Sequence, residues 1–298
     1  MDINESYDVV VVGGGAAGLS AALVLGRSRR SVLVIDAGEP RNAPADHLHN
    51  YLGREGAKPT ELLAIGREEV ARYGVEVRVG RVSSAARTGG GFALGLEDGS
   101  SVSARRLVLA TGVVDVLPDV PGLAERWGRD VLHCPYCHGW EVADLPLGIL
   151  ASGPDCVERA LLFRQWSEDV VVLLNGQPAP HAEDAEKLRA RGIRLVPGEI
   201  ARVVVEDDAI TGVELAGGEV VARRALVVTT VPTSDTTLLD AVGGPETPGL
   251  KVVGNAATPY GAVITSAADG MMAGTLLNHD LILEEIATAV AEHRKEVA

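Results

Sequence analysis

Aromatic residues are scarce in this chain of 298 residues: two Phe, three Trp and five Tyr make up 3% of it. Cysteine is scarcer still, at three. Three cysteines cannot staple a fold of this length, which excludes a disulfide scaffold of the secreted kind. No apolar run approaches the roughly 20 residues that cross a bilayer. The start, Met1-Asp2-Ile3-Asn4-Glu5, lacks the basic residues and apolar stretch of a signal peptide, so a cytoplasmic protein is expected. Positive charge is in deficit: 27 Lys and Arg face 41 Asp and Glu, a formal net charge of -14. Nucleic acid and anionic membrane both require a basic patch, so neither is expected as a partner.

Small apolar residues are abundant instead. Apolar side chains make up 46% of the chain, and Gly occurs 35 times. That composition suits closely packed α/β layers, and the length suits two domains. Residues Tyr7, Asp8, Val9, Val10, Val11 and Val12 read as a buried parallel strand. The strand runs into Gly13, Gly14, Gly15, Ala16, Ala17 and Gly18, and Leu19 opens an apolar helical stretch. This is G-x-G-x-x-G between strand and helix. Gly13 permits the turn, Gly15 lets a pyrophosphate approach the backbone, and Gly18 lets helix and strand pack closely. The helix N-terminus offers free N–H groups to phosphate. A second strand, from Ser31 to Ile35, ends in Asp36, an acid placed to accept ribose hydroxyls. NAD and FAD share this fingerprint, and the motif alone does not choose between them.

A second chemical signal is His133-Cys134-Pro135-Tyr136-Cys137-His138-Gly139. Three readings compete. In C-x-x-C two sulfurs can bridge and act as a redox dithiol, with a helix start lowering one thiol pKa. C-x-x-C-H also fits covalent haem, an attachment of exported proteins. Zinc on His133, Cys134, Cys137 and His138 would pack four ligands into six residues, too tight for a tetrahedron, and no metal is expected. The redox dithiol is carried forward, with Cys134 and Cys137 as candidate catalytic residues. His138 is the candidate acid–base group, since imidazole serves either role near neutral pH. Trp140 and Glu141 are expected to pack and cap the next segment. Cys156 stands without a partner and reads as structural.

A second strand–turn–helix unit follows. Leu147 to Leu150 is a strand, then come Ala151, Ser152, Gly153, Pro154, Asp155 and Cys156, a helix from Val157, and a strand from Val170 to Leu174. Its first glycine is replaced by Ala151, which crowds the turn. No Arg or Lys stands between Arg164 and Lys187 to pair with a 2′-phosphate.

Further segments complete a recognisable layout: a strand into Ala110-Thr111-Gly112, the stretch Gly249 to Ala256, and a small-residue helix from Val263 to Leu277. The whole chain resembles the flavoprotein disulfide reductases, in particular their low-molecular-weight thioredoxin reductase branch. That resemblance implies an α/β fold of two Rossmann-like dinucleotide-binding domains, the second inserted in the first. Residues 1–113 and 243–298 would form the FAD-binding domain, and 114–242 an NADPH-domain-like unit carrying the cysteine pair. It implies FAD contacts from Gly13, Gly14, Gly15, Ala16, Ala17, Gly18, Asp36, Ala37, Arg41, Asn42, Asn50, Val82, Ala110, Thr111, Gly112, Gly254, Asn255, Ala262 and Val263. The family usually has Gly-Asp where this chain has Gly254-Asn255, and an acid where it has His138.

Cys-Pro-Tyr-Cys-His-Gly with the eroded second cradle is similar to one branch of that family. Its members oxidise small-molecule dithiols with dioxygen and install the disulfides of natural products of the gliotoxin, holomycin and romidepsin kind. The resemblance implies a small dithiol as substrate, dioxygen as acceptor, hydrogen peroxide as product, and a homodimer. His138 would deprotonate a substrate thiol, Cys134 would take the attack, and Cys137 would reduce the flavin. The alternatives are a thioredoxin reductase fed by NADPH or another donor, and a redox sensor or binding protein on the same frame.

Overall fold

The computed structural model describes residues 5–153 and 155–298. The opening Met1-Asp2-Ile3-Asn4 and Pro154 of the second glycine turn, both read above, lie outside the described residues. The chain forms two compact units. One holds residues up to Ala43, Thr60–Val114 and Pro232–Ala298; the other holds Pro44–Pro59 and Asp115–Val231.

The first unit opens with β1 (Glu5–Val12), α1 (Ala16–Arg27) and β2 (Val32–Asp36). It continues with α2 (Pro59–Ala71), β3 (Glu76–Val79), β4 (Val82–Thr88), β5 (Gly91–Leu96) and β6 (Ser101–Leu109), and the chain leaves it through β7 (Val114–Val116). The second unit holds β8 (Val131–Leu132), α3 (Pro135–His138), β9 (Leu147–Leu150), α4 (Cys156–Phe163), β10 (Val170–Leu173), α5 (Ala182–Ala190) and β11 (Arg194–Val196). The strands β12 (Ile200–Glu206), β13 (Ala209–Leu215), β14 (Val220–Ala222) and β15 (Ala225–Val227) complete it. The return runs through β16 (Val231–Thr233) to α6 (Thr237–Ala241), β17 (Leu250–Val252) and α7 (Val263–Glu296).

In the first unit the sheet order is β3-β2-β1-β6-β5-β4, with β17 also paired to β6. β1 lies parallel to both β2 and β6, and Val12 stands opposite Ile35 on one side and Leu109 on the other. The carboxyl ends of three strands are therefore level, at the point where the strand order reverses. Ligands of open α/β sheets bind at such a point. Both faces of these strands are covered, so their buried residues run without alternation. Val9, Val11 and Val34 pack with Leu25, Ala273 and Leu277; Val10, Leu33 and Leu107 pack with Phe92 and Leu94.

Helices α1 and α7 touch at backbone distance. A Cβ on Gly270 would lie 1.9 Å from the Ala17 carbonyl oxygen, and one on Gly274 would lie 2.8 Å from that of Ala21. Small residues are required there, which explains the composition of 263–277. α7 continues to Glu296, beyond the expected end at Leu277. No residue after Leu281 is buried, so the extension has no packing signature; it is tethered near its start by Arg105 and Arg106, which pair with Glu284.

In the second unit a parallel sheet of order β11-β10-β9-β15-β8 carries α4 and α5, and β12-β13-β14 form an antiparallel sheet. Two differences from the expected division have physical causes. Residues 44–59 belong to the second unit, where His49 meets Glu141 and Asn50 meets Tyr136. Residues 232–242 belong to the first, where Leu238, Leu239 and Val242 join the core of Val10 and Leu33.

Candidate functional site

The first glycine turn leaves the carboxyl end of β1. Gly13 has φ +106°, and a Cβ there would meet the Ala110 carbonyl oxygen at 2.3 Å. A Cβ on Gly18 would lie 1.9 Å from the Gly13 carbonyl oxygen. Beyond Gly15, by contrast, lies open space. Gly15 precedes α1, no side chain caps that helix, and its first turn holds no acid. Its first N–H groups are not taken by a side-chain cap, as an anion site requires. These residues fit a dinucleotide pyrophosphate.

Asp36 ends β2. Its Oδ1 accepts the Gly14 N–H at 3.1 Å and the Gly38 N–H at 3.3 Å, and Oδ2 accepts from Arg67 at 2.8 Å. Burial works against its ionisation, yet these donors prevail and hold the carboxyl below the usual range. Arg67 was not foreseen; it comes from α2, with no local signal. Ala37 follows Asp36 directly. Ala110 donates its N–H to the Val12 carbonyl at 2.8 Å, and Thr111 and Gly112 extend from the same strand end, Gly112 at φ +70°. Val82 starts β4 with its side chain buried beside Val12 and Ile35.

Near the C-terminus, Gly254 takes φ +64° and donates its N–H to Asp269 Oδ2 at 2.7 Å. Asp269, nearly two turns into α7, was also unforeseen. Asn255 Nδ2 donates to the carbonyls of Thr258 at 3.1 Å, Pro259 at 3.3 Å and Gly261 at 2.9 Å. Its amide nitrogen thus holds the turn, and only Oδ1 remains for a ligand. Arg41 donates to the Pro259 carbonyl at 2.6 Å, beside half-buried Asn42. Ala262 caps α7 and Val263 opens it.

In the second unit Cys134 and Cys137 are joined as a disulfide. Cys134 precedes the single turn α3, with Pro135 in its first position, where a missing N–H costs nothing. Gly139 is forced: a Cβ there would lie 2.3 Å from the Pro135 carbonyl oxygen and 2.9 Å from the Trp166 ring. Trp166 also meets Tyr136 edge-on, at 5.7 Å between centroids. His133 stacks on Trp127 at 5.4 Å. Trp140 does not pack as expected: it is 80% exposed.

His138 follows Cys137 and is half-buried. Burial is the largest influence on it and holds the imidazole below its ordinary value, with Glu141 opposing and His49 reinforcing that shift. The ring is therefore neutral at physiological pH, the form a base needs. His49 was unforeseen. Its Nδ1 lies 2.5 Å from Glu55 Oε1 and its Nε2 lies 3.2 Å from Glu141 Oε1. Asn50, at φ +60°, donates its backbone N–H to Glu55 Oε2 at 2.9 Å and its Nδ2 to the Tyr136 carbonyl. The residue expected at the flavin ties a loop of the second unit to the cysteine turn.

The second glycine turn is organised around a carboxylate. Asp155 precedes α4, and Glu158 stands in that helix's first turn. Asp155 accepts from Arg159 at 2.8 Å and from Thr229 Oγ1 at 3.1 Å. Burial opposes its ionisation, but Arg159 holds its pKa down. Ala151 is buried. After β10, Asn175 accepts the Ile200 N–H at 2.9 Å, and Glu199 lies against Gly176. Cys156 is a free thiol whose pKa is raised, first by burial and then by Asp155, which suits a structural role.

Residues 7–263 match the model of the pyridine nucleotide-disulphide oxidoreductase family. A probable thioredoxin reductase of Arthroderma benhamiae is 37% identical over 57% of this chain and 44% of its own length. The thioredoxin reductase sirT of Leptosphaeria maculans is 34% identical over 69% of this chain and 67% of its own. The chain spans about half the length of the first of these relatives. The crystal structure of HlmI superposes with a TM-score of 0.95 at 44% identity, over 98% of both chains. With both dinucleotide folds in place and an open cradle after β1, the chain belongs to the pyridine nucleotide-disulphide oxidoreductase family as a thioredoxin reductase-like flavoprotein whose cofactor is FAD.

Proposed function

We propose that this protein is a FAD-dependent oxidase of small-molecule dithiols, closing them to intramolecular disulfides with dioxygen as acceptor. The observation that carries the reading is the contrast between its two helix starts. Neither helix has a side-chain cap, but the first turn of α1 is free of acid, whereas Asp155 stands at the N-cap position of α4 with its carboxyl held ionised and Glu158 in the first turn. A phosphate at α4 would meet like charge, and the end of β10 offers it Asn175 and Glu199 in place of arginine. A flavin protein without pyridine nucleotide draws its electrons from the dithiol side.

In this reading His138 takes the proton of one substrate thiol. The thiolate attacks Cys134 Sγ, the Cys134–Cys137 bond breaks, and Cys137 leaves as thiolate. The second substrate thiol, once deprotonated, attacks the substrate sulfur of the mixed disulfide. The product ring closes and Cys134 is released as thiolate. FAD, held by the residues named below, would supply two-electron transfer from the reduced cysteines to dioxygen, the two protons given up by the substrate thiols balancing those of hydrogen peroxide. We assign FAD binding to the residues from Gly13 to Gly18, with Asp36, Ala37, Arg41, Asn42, Asn50, Val82, Ala110, Thr111, Gly112, Gly254, Asn255, Ala262 and Val263; Asn50 also donates to the Tyr136 carbonyl of the cysteine turn. The FAD domain is built on residues 1–113 and 243–298 and the cysteine-bearing domain on 114–242, with the loop 44–59 added to the latter and 232–242 to the former. A cytoplasmic homodimer completes the proposal, with no nucleic acid and no membrane as partner; among the described residues no helix is long and apolar enough to cross a membrane.

The names of the relatives favour a second reading, reduction of a protein disulfide at the expense of a pyridine nucleotide. One experiment separates the two. Anaerobic mixing with a small dithiol should bleach the flavin within the enzyme's turnover time, while NADPH and NADH should leave it yellow. A flavin bleached by NADPH and untouched by dithiols would reverse the assignment.

A further inference from the structure

We propose that Arg159 is a positioning residue for the redox pair: it fixes the Cys134 end of the disulfide turn by holding the His133 carbonyl, and Asp155 in turn holds Arg159. The inference rests on the redox role proposed for Cys134 and Cys137 and extends it to a side chain of α4, outside the cysteine motif. The acid at the start of α4, which would repel a phosphate, thereby gains a use of its own: the second glycine turn supports the dithiol.

On its far side the redox turn is secured by its own backbone. The Cys134 carbonyl accepts the N–H of Cys137 at 3.3 Å and that of His138 at 3.2 Å, and the Pro135 carbonyl accepts that of Gly139 at 2.7 Å. On the near side the chain leaves the sheet at Leu132, whose carbonyl accepts the Val228 N–H at 2.8 Å. His133 alone separates that last sheet bond from Cys134. Its carbonyl belongs to the peptide group that carries the Cys134 nitrogen, and Arg159 Nη1 donates to it at 2.6 Å. The other terminal nitrogen, Nη2, donates to Asp155 Oδ2 at 2.8 Å, and Thr229 Oγ1 donates to Asp155 Oδ1 at 3.1 Å. Thr229 directly follows Val228. The bonds therefore close a ring, from Leu132 through His133, Arg159, Asp155, Thr229 and Val228 back to Leu132. That ring ties the carboxyl ends of β8 and β15 to the first turn of α4. A planar guanidinium with both terminal nitrogens engaged sets direction as well as distance. Two thiols close a disulfide more readily the better the backbone holds them at bridging distance, and the two Cα atoms stand 5.3 Å apart. Loosening the Cys134 end should favour the open dithiol. A direct effect of the positive charge on the Cys134 thiolate would act in the opposite sense, and Asp155 neutralises that charge.

The test uses the full chain with its flavin bound, equilibrated without oxygen in dithiothreitol of graded thiol-to-disulfide ratio. Acid quenching, alkylation and mass spectrometry then count the open and closed pairs. Closure passes two electrons and two protons from the cysteine thiols to oxidised dithiothreitol, so the ratio gives the equilibrium constant. In Arg159→Gln the constant for closure should fall about tenfold, a potential about 30 mV less negative. Arg159→Lys, whose ammonium is a point charge without the rigid fork, should recover part of the loss. Thr229→Val removes one bond of the ring and leaves the guanidinium, so it should shift the constant the same way by a smaller factor. A constant unchanged or shifted toward closure in Arg159→Gln, or in Thr229→Val where the first variant does not fold, would overturn the proposal, whatever the melting temperature does. The oxidase reading fails separately: a wild-type protein that consumes no oxygen with any dithiol would sink it, and the closure equilibrium would still decide the role of Arg159.

Discussion

The guanidinium of Arg159 donates at 2.6 Å to the backbone carbonyl of His133, the residue that immediately precedes Cys134. Its other arm holds Asp155 at 2.8 Å. One side chain thus links the eroded glycine turn to the redox turn. Replacing it by Gln removes the ion pair and leaves the Asp155 carboxylate with Thr229 alone. The Asp155 side chain is 38% exposed, so solvent screens the pair and the expected cost is about 1 kcal/mol. A melting temperature lower by several degrees, read by circular dichroism, checks it; an unchanged melting curve would show that the link carries no stability.

His138 should dictate the acid side of the pH profile. Burial holds its folded-state pKa below the ordinary imidazole value of about 6.5. The unfolded chain therefore binds the proton first as the pH falls. The group's contribution to stability is complete above the unfolded value and is lost on acidification through the folded value. Turnover of dithiol should show an acid limb lying below the ordinary imidazole range. His138→Gln should lose that limb and slow turnover by roughly 10²–10⁴-fold. A limb that persists in the variant would assign it to another group.

Gly18 tests the first cradle. A Cβ there would stand 1.9 Å from the Gly13 carbonyl oxygen, so Gly18→Val must push α1 away from the turn. The variant should purify with little flavin, read from the ratio of visible to ultraviolet absorbance. Gly15→Ala, which points into open space within the protein, should keep the fold and lose flavin alone, because its methyl would take up room needed by the pyrophosphate.

The outer length of α7 offers a self-association surface. Met272, Leu276, Leu283, Ile286 and Val290 are all more than 40% exposed and recur at helical spacing. Leu276→Lys combined with Leu283→Lys should convert the proposed homodimer to a monomer in sedimentation or light scattering. A dimer that survives both changes would place its interface elsewhere.

Much of the fold was legible because its signals are local. The run from Val9 to Val12, the glycine spacing and Asp36 announce a parallel strand, a phosphate turn and a second strand within about 30 residues, the span of a βαβ unit. The cysteine motif is equally local. The end of α7 was not legible, because its last turns bury nothing and carry no periodic constraint. Trp140 was misread as a packing residue, since an aromatic side chain carries no mark of the side it faces. Nor could the hydrogen bond of Asn50 be read: its partner, the Tyr136 carbonyl, is 86 residues away.

The sequence by itself determined the two dinucleotide folds, the closely spaced cysteine pair and the substituted second glycine turn, each by residue types within one short segment. Only the tertiary structure decided what surrounds the chemistry. It brought His49 and Glu55 to Glu141, paired Asp155 at the start of α4 with Arg159, and turned the Asn255 amide back on its own turn. Those pairings depend on charge and hydrogen bonding between side chains whose distance in space bears no relation to their distance along the chain. Short-range pattern is written in the order of residues, whereas such pairings exist only once the folded backbone has brought distant groups within a few ångströms.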